Sequence, residues 1–498
     1  MAKPFSGVRA AAVDGRAHNP YYRKTQLKKL HDRVVENLSE IQRAIELDTG
    51  HRAAEIKAEC WLALQCLVEG YNSVDPAREL AAEYSIANQK DAPEAHEPVG
   101  IVLIEPAMHT FLFSLISALA PAIVAGNCVI VRVEQTILRT PPLVLGLIEG
   151  ALDRDIIQVT YAREVPSVDI GHRYMRVLQN GPPTASMAND LVSRPQARVA
   201  AIVERDADLD KAAELLLVAR LGLGGKSPYG PDLVLVNEWV VKEFLAAVAR
   251  HSAKPIATTN GHVATATDGF ADKISKQGLG KIATSGTDGT VFGLTDRDST
   301  LAQPKLREKC LVVHAVSSID DAIDVSNGFG RLAAAYVFTS KPEAAKYICQ
   351  FVDSAVSFVN HIPTSLLFGP VRPEQSRIDP RSVSPYDLAL FTLPKPQYVS
   401  PRKRTELLDG VLLEDSGTRV TRLEAELAAR LPEVQRLKNG HDLGFFEQGI
   451  VMSASTGVAD GRASTSKKAN LGQFATYPEP RYMNIGDDPA KFLVPPSS

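Results

Sequence analysis

The chain has 498 residues, of which 45% are hydrophobic and 23% are charged, and its formal net charge is −3. This composition is typical of a globular protein with several domains, and the small net charge argues against nucleic acid as a partner. The first residues lack an apolar signal core, and the longest apolar run, 111–125, is too short and too interrupted to span a membrane. The five cysteines form no CxxC pair, so we expect reduced thiols and a cytoplasmic location.

The first half of the chain reads as long helices followed by a strand–helix–strand unit. Apolar residues at helical spacing predict amphipathic helices between residues 20 and 70, and the polar stretch 75–94 predicts a loop. Two continuous apolar runs, 99–104 and 128–133, are typical of strands buried in a parallel sheet, and a predicted helix over 111–124 connects them.

The second half repeats the alternation of strands and helices. The predicted strands are 200–203, 233–236, 311–316 and 334–339, and the predicted helices are 206–219, 237–250 and 319–327. This pattern favours a second α/β domain. Beyond residue 400, Thr421 and Glu424 predict a capping box that opens a helix to about residue 437. The Ser-, Thr-, Gly- and Lys-rich stretch 452–473 predicts loop or disorder.

Several short runs resemble those of one known superfamily in their order and spacing. They are Glu97-Pro98-Val99-Gly100, Ala125-Gly126-Asn127, the segment 201–209, the segment 225–236, Ser357-Phe358-Val359-Asn360 and Phe368-Gly369. Together they resemble the aldehyde dehydrogenase superfamily over residues 7–400, and most closely its short class-3-like branch. The resemblance implies an α/β fold with a Rossmann-like domain, a second α/β domain and a small β arm that joins two subunits.

The domain boundaries that this resemblance implies follow from the same alignment. N-terminal helices and the Rossmann-like domain occupy 1–200, including an oligomerisation segment near 75–97. The former catalytic domain occupies 201–385, an oligomerisation strand follows at 386–400, and 401–498 is an extension without a counterpart. The resemblance implies a homodimer.

The catalytic groups of the superfamily are replaced in this sequence. Pro228 lies where the family has its nucleophilic cysteine, and a proline side chain neither attacks a carbonyl nor donates a proton. A shifted register would offer Ser227, which has no neighbouring histidine in the sequence to activate it. Arg194 lies at the position of the general base, and a guanidinium stays charged. We therefore expect that the chain is not a working aldehyde dehydrogenase.

The oxyanion-stabilising asparagine of the superfamily corresponds to His109. An imidazole N–H can donate a hydrogen bond to a carbonyl oxygen, so this replacement is chemically useful. The alternative is a packed histidine whose hydrogen bonds are satisfied internally.

The residues that correspond to the family's cofactor site are also changed. Arg132 replaces the lysine that holds the adenosine ribose, and Gly171-His172, followed by Arg173, replaces the Gly-Ser that receives the pyrophosphate. Lys305 falls near the glutamate that binds the nicotinamide ribose. We expect neither a dinucleotide cofactor nor a metal ion.

The candidate site residues fall into two groups. The candidate catalytic residues are His109, Lys226 and Ser227, although the last two are alternatively polar loop residues. The candidate substrate-binding residues are Met108, Thr110, Phe111, Phe113, Arg194, Pro228, Tyr229, His361 and Phe368. Arg194 either grips a substrate carboxylate or forms an internal salt bridge, and Tyr229 either lines the tunnel or supports it.

These changes favour a repurposed biosynthetic enzyme that acts without NAD. It would bind a hydrophobic carbonyl-bearing molecule and promote isomerisation or cyclisation in secondary metabolism, with a pericyclic reaction of the Diels–Alder type as one form. Two alternatives stay open: a non-catalytic pseudoenzyme that serves as a scaffold or regulatory dimer, and a protein that binds dinucleotide without oxidising aldehydes.

Overall fold

The computed structural model describes residues 4–432 except 164, 167–169, 171–172, 183–188, 253–279, 287–288, 295–304, 307, 380, 400–407 and 409–416. The helices are α1 (Ser6–Asp14), α2 (Pro20–Glu36), α3 (Leu38–Thr49), α4 (Ala53–Ser73), α5 (Pro76–Glu83), α6 (Phe111–Val124), α7 (Thr140–Ala151), α8 (Leu209–Leu221), α9 (Val241–Ser252), α10 (Ile319–Asn327), α11 (Pro342–Phe351), α12 (Thr364–Leu367) and α13 (Gly417–Leu427). The strands are β1 (His96–Pro98), β2 (Ile101–Glu105), β3 (Cys128–Arg132), β4 (Ile157–Thr160), β5 (Tyr174–Leu178), β6 (Asp190–Val192), β7 (Val199–Val203), β8 (Leu233–Asn237), β9 (Gly280–Gly286), β10 (Gly289–Leu294), β11 (Cys310–Val316), β12 (Ala334–Phe338), β13 (Ser357–Val359) and β14 (Thr392–Pro394). All the described residues lie in one unit, Met1–Val434.

A five-stranded sheet organises the first part of the chain. Its strand order is β4-β3-β2-β5-β6, and every described pair in it is parallel. Strands β2 and β3 are buried over four successive residues each, which explains why their sequences are continuously apolar rather than alternating. Helix α6 connects them and is buried at every position except Pro121. The longest apolar run is therefore a core helix, as expected.

The N-terminal helices pack over α6 and complete the core on that side. Asn19 caps α2 by accepting the backbone N–H of Tyr21 at 2.9 Å, and Pro20 begins the helix. The apolar faces of α2 and α4 bury Leu27, Leu30 and Leu67 in the same core cluster as α6. Helix α5 corrects the prediction of a loop over 75–94, because Asp75 caps it and Pro76 starts it.

A seven-stranded sheet organises the second part of the chain. Its order is β13-β12-β7-β8-β11-β10-β9, and its strands are parallel except that β9 runs antiparallel to β10. The predicted strands over 200–203, 233–236, 311–316 and 334–339 correspond to β7, β8, β11 and β12. The mixed α/β class predicted from the sequence is confirmed.

A separate two-stranded sheet joins β1 and β14 in antiparallel register, with His96 opposite Pro394. These strands lie in the two segments, 75–97 and 386–400, for which a subunit-joining arm was predicted. Leu393 and Tyr398, in and beside this sheet, are about half exposed. The dimer itself and the domain boundaries stay predictions.

The C-terminal part differs from its prediction where it is described. Helix α13 begins at Gly417, so Thr421 lies inside the helix rather than at its start. The predicted loop over 452–473 lies outside the described residues, as does Gly171-His172. No helix in the described part of the chain combines the length and hydropathy that crossing a membrane requires.

Candidate active site

The loop that follows β2 and the loop that follows α8 face each other across a cavity of about 500 Å³. Further residues come from α3, α4, α7 and the segment after α12. The lining residues that carry the argument below are His51, Glu59, His109, Lys226, Pro228 and Lys305. Of the predicted site residues, Met108, Thr110, Phe111 and Ser227 also line the cavity.

The start of α6 fixes the position of His109. Thr110, the residue before the helix, has a left-handed backbone (φ 46°), and its hydroxyl donates to the His109 carbonyl at 2.8 Å. The hydroxyl of Ser114 donates to the same carbonyl at 2.8 Å, and Thr110 also bonds the carbonyl of Phe368. Three hydrogen bonds therefore hold the backbone that carries the imidazole.

The imidazole of His109 is neutral and already has a hydrogen-bond partner. Burial lowers its pKa to about 4, although a hydrogen bond to the Leu367 carbonyl opposes the shift. Its Nε2 lies 3.3 Å from that carbonyl oxygen. Because a neutral imidazole has one N–H, the contact assigns the proton to Nε2 and leaves Nδ1 as an acceptor. The predicted donor role therefore requires Nε2–H to exchange this acceptor for a ligand.

Pro228 and His109 both lie close to Gly369. A Cβ atom placed on Gly369 would lie 2.9 Å from Cγ of Pro228 and 3.6 Å from Cδ2 of His109. Gly369 has a left-handed backbone (φ 57°), which glycine adopts without strain. Pro228 also lacks a backbone N–H, so it contributes neither a nucleophile nor a main-chain donor here. All five cysteines lie in the described part of the chain, and none lines the cavity.

Ser227 and Lys226, the neighbours of Pro228, differ in their availability. The Ser227 hydroxyl is buried, donates to the Leu367 carbonyl at 2.6 Å and accepts the Tyr229 N–H at 3.3 Å. Both hydrogen-bonding roles of this hydroxyl are used, which favours a structural function. Lys226 is exposed, and no described residue forms a hydrogen bond or ion pair with its ammonium group.

A buried charge cluster lies behind Pro228. Lys305 donates to the Pro228 carbonyl at 2.7 Å and to Oδ2 of Asp232 at 2.9 Å, and burial lowers its pKa. Asp232 also accepts the backbone N–H groups of Val199 and Leu306. Arg220 lies within 3.9 Å of the same carboxylate. Lys305 thus stabilises the loop that carries Pro228. Its predicted correspondence to a ribose-binding residue did not indicate this role.

Glu59 and His51 line the cavity and were not predicted from the sequence. Glu59 on α4 accepts the N–H of Leu112 at 3.2 Å, and its second oxygen has no partner in the described part of the protein. Burial raises the Glu59 pKa to about 7. A signal existed, because Glu59 shares the apolar helical face of Ile56 and Ala63, where a charged residue is unexpected.

Five predicted substrate-binding residues are not among the residues that line this cavity. Arg194 forms an exposed ion pair with Glu374 at 3.1 Å. Tyr229 is buried and accepts the Arg372 N–H at 3.1 Å, so it supports the structure. The other three are Phe113 and Phe368, which are buried in the core, and His361, which is exposed and bonds the Val359 carbonyl.

The carboxyl edge of the five-stranded sheet is where doubly wound folds bind dinucleotides. Here Arg132 donates to Glu105 at 2.7 Å, to the Ala162 carbonyl at 3.1 Å and to the Arg163 carbonyl. It also lies 3.3 Å from Glu134. These acceptors engage the guanidinium of Arg132 from several sides.

Comparisons with known proteins place this geometry in a family context. Residues 6–167 match the model of the aldehyde dehydrogenase family. Over 384 residues the chain is 24% identical to a malonate-semialdehyde dehydrogenase of Listeria monocytogenes serotype 4b, a match that covers 68% of this chain and 76% of that protein. A dimeric NADP-preferring aldehyde dehydrogenase of Canis lupus familiaris is 22% identical over 367 residues, with 68% and 81% covered.

Solved structures show the same fold. A substrate-bound AldH of Staphylococcus aureus superposes with a TM-score of 0.64 at 17% identity, covering 85% of this chain and 98% of that chain. An NAD-dependent benzaldehyde dehydrogenase of Corynebacterium glutamicum gives a TM-score of 0.59 at 16% identity, with 80% and 88% covered. The chain therefore has the fold of the aldehyde dehydrogenases.

Proposed function

We propose that the protein is a biosynthetic enzyme that binds an apolar carbonyl compound and promotes its isomerisation or cyclisation without a dinucleotide. The observation that carries the proposal is the cavity of about 500 Å³, whose wall brings His109 beside Pro228. The sequence resemblance implies a nucleophilic cysteine at the position of Pro228. A reaction within one substrate molecule needs neither nucleophile nor hydride acceptor. It needs a pocket that holds a reactive conformer, and a pericyclic cyclisation of the Diels–Alder type is the form that we favour.

His109 supplies the polarising hydrogen bond in this proposal. The Leu367 carbonyl receives two donors, the Ser227 hydroxyl at 2.6 Å and His109 Nε2 at 3.3 Å. If a ligand carbonyl takes the imidazole N–H, the Leu367 oxygen keeps its shorter hydrogen bond to Ser227. The exchange therefore leaves no buried carbonyl unsatisfied, which keeps its cost low. One such donor contributes roughly 3 kcal/mol to a transition state that gains charge on oxygen.

The cavity also bears on the two alternatives. A scaffold without catalysis would need no internal space, whereas the described residues enclose a volume that suits a small apolar molecule. A dinucleotide-binding protein would need the edge of the five-stranded sheet, where Arg132 is committed to Glu105. We propose further that the protein acts as a homodimer joined through the β1–β14 arm.

The test uses an open-chain trienone, in which a diene and an enone are joined by a short tether. We expect the purified protein to accelerate loss of the diene absorbance, with the same rate whether or not NAD or NADP is added. His109→Ala should lower the catalysed rate by about a hundredfold, the value of one lost donor. Thr25→Ala, on the exposed part of α2, serves as the matched control. Reduction of NAD or NADP by any simple aldehyde, or an unchanged rate for His109→Ala, would contradict the proposal.

A further inference from the structure

The carboxylates that line the cavity already accept hydrogen bonds from the backbone. Asp48 accepts the N–H groups of Arg139 at 2.9 Å and Thr140 at 2.7 Å, together with the Thr140 hydroxyl at 2.7 Å. These donors lie at the start of α7, where the helix dipole favours a negative charge. Glu59 is buried at the start of α6, and burial raises its pKa to about 7, so a large part of it is protonated at neutral pH.

The cationic side chains of the cavity are not balanced in the same way. Lys305 has Asp232 as its partner at 2.9 Å. Lys226 lines the cavity, and the described residues supply no counter-charge to it. Lys226 is therefore a cation on the cavity wall, in the loop that carries Pro228, without an ion-pair partner among the described residues.

Two neutral imidazoles line the same cavity as this lysine, and their pKa values depend on its charge. Burial is the largest cause that lowers the pKa of His51 and of His109. Glu55 opposes the shift at His51, and the charge of Lys226 lowers both pKa values further. Lys226, His51 and His109 all line the same cavity. His51 is 9% exposed, and its Nδ1 has no hydrogen-bond partner among the described residues. An anion placed beside Lys226 would meet two rings that gain a proton more readily once it binds.

We infer that the cavity takes apolar molecules that carry a carboxylate, and that Lys226, with His51, forms the subsite for that group. The inference rests on the proposed function, because the remainder of the ligand occupies the cavity in which the carbonyl meets His109. A carboxylate satisfies the ammonium of Lys226, and its field then favours the protonated imidazoles. The substrate class becomes an apolar keto acid rather than a neutral ketone or aldehyde.

The test compares benzoylpropionate, which has an aromatic ring, a ketone and a carboxylate, with its uncharged methyl ester. Calorimetry at neutral pH and low salt should give roughly tenfold tighter binding of the acid, and this preference should shrink as salt is added. Lys226→Gln should remove the preference by lowering the affinity for the acid to about that for the ester. Lys346→Gln, exposed on α11 and away from the cavity, is the matched control and should keep it.

A second readout follows the histidines by NMR. Binding of the acid, but not of the ester, should raise the pKa of His109 from about 4, and Lys226→Gln should abolish the ligand-induced rise. A lysine with only a structural role would not change the pKa of His109 when the ligand binds.

Equal affinity of the acid and the ester overturns the inference while the proposed function stands. Tight, Lys226-dependent binding of the acid combined with an unchanged trienone rate in His109→Ala would retain the inference and overturn the proposed function. Absence of binding by both probes overturns the subsite.

Discussion

Two regions of this fold differ in how their polar and charged groups are paired. At the carboxyl edge of the five-stranded sheet, Arg132 turns inward and pairs with Glu105 at 2.7 Å. The protein's own charges occupy that edge. At the cavity, Pro228 borders open space of about 500 Å³ beside His109.

The difference follows from the chemistry of the residues at each place. Charged residues inside a protein need partners, because an unpaired buried charge is costly. An apolar proline needs no partner and costs little beside a cavity. One region therefore contains internal ion pairs, and the other contains open volume.

The largest expected effect comes from a substitution that removes the buried counter-charge behind the cavity. Asp232→Asn leaves Lys305 and Arg220 without their shared counter-charge inside the protein. We expect a loss of about 3–5 kcal/mol in the free energy of unfolding, measured by urea denaturation. Glu374→Gln removes the exposed partner of Arg194 and should change stability by less than about 0.5 kcal/mol. Similar losses in the two variants would show that the cavity floor does not depend on its buried ion pair.

The sequence predicted elements whose boundaries depend on local chemistry. Helix α6 begins and ends at the predicted residues, because a predominantly apolar run is bounded by Thr110 and by the turn at Gly126. Helix α10 also matches its predicted bounds, with Ser318 as its N-cap. The missed helix α5 has comparable local signals, Asp75 followed by Pro76, which the polar composition of the segment obscured.

The cavity wall was less predictable because it depends on the packing of distant segments. Glu59 reaches the cavity from a helix some fifty residues before His109, and sequence spacing gives no measure of that approach. His361 follows a predicted substrate loop, yet it is exposed and packs edge-on against Phe358. A residue next to a recognised motif lies in the same loop, but its side chain need not point to the same side as those of the motif. Successive side chains in extended backbone point to opposite sides.

A pH series sharpens the comparison by isolating Glu59, the titrating carboxyl of the cavity wall. Its pKa is about 7 in the folded protein and 4.5 in an unperturbed chain, so between these values the folded state binds more protons than the unfolded state. Stability from this group is therefore lost as the pH rises from about 5 to 8, by about 2–3 kcal/mol. Glu59→Gln should remove this dependence of stability on pH. Its stability relative to the wild type should therefore be higher at pH 8 than at pH 5.

The measurement for Glu59 is urea unfolding of the wild type and the variant at both pH values. Glu69→Gln provides a control on the same helix, since Glu69 is partly exposed and its pKa is raised less by burial. We expect Glu69→Gln to retain most of the wild-type slope. A slope that persists in Glu59→Gln would place the titrating group elsewhere and leave the cavity wall charged at neutral pH.

The smallest expected effect, a null result, tests the other side of the comparison. Because Arg132 is occupied by Glu105 and by the carbonyls of Ala162 and Arg163, adding NAD or NADP should leave the melting temperature unchanged. The test is sensitive, since a ligand at a hundred times its Kd stabilises a protein by about 2.7 kcal/mol. Glu105→Gln, which weakens the internal pairing of Arg132, is the informative companion variant. If a dinucleotide raised the melting temperature of the wild type, the edge of the sheet would accept a cofactor, and the contrast with the cavity would be wrong. If the melting temperature rose only in Glu105→Gln, the ion pair between Arg132 and Glu105 would be what prevents the dinucleotide from binding.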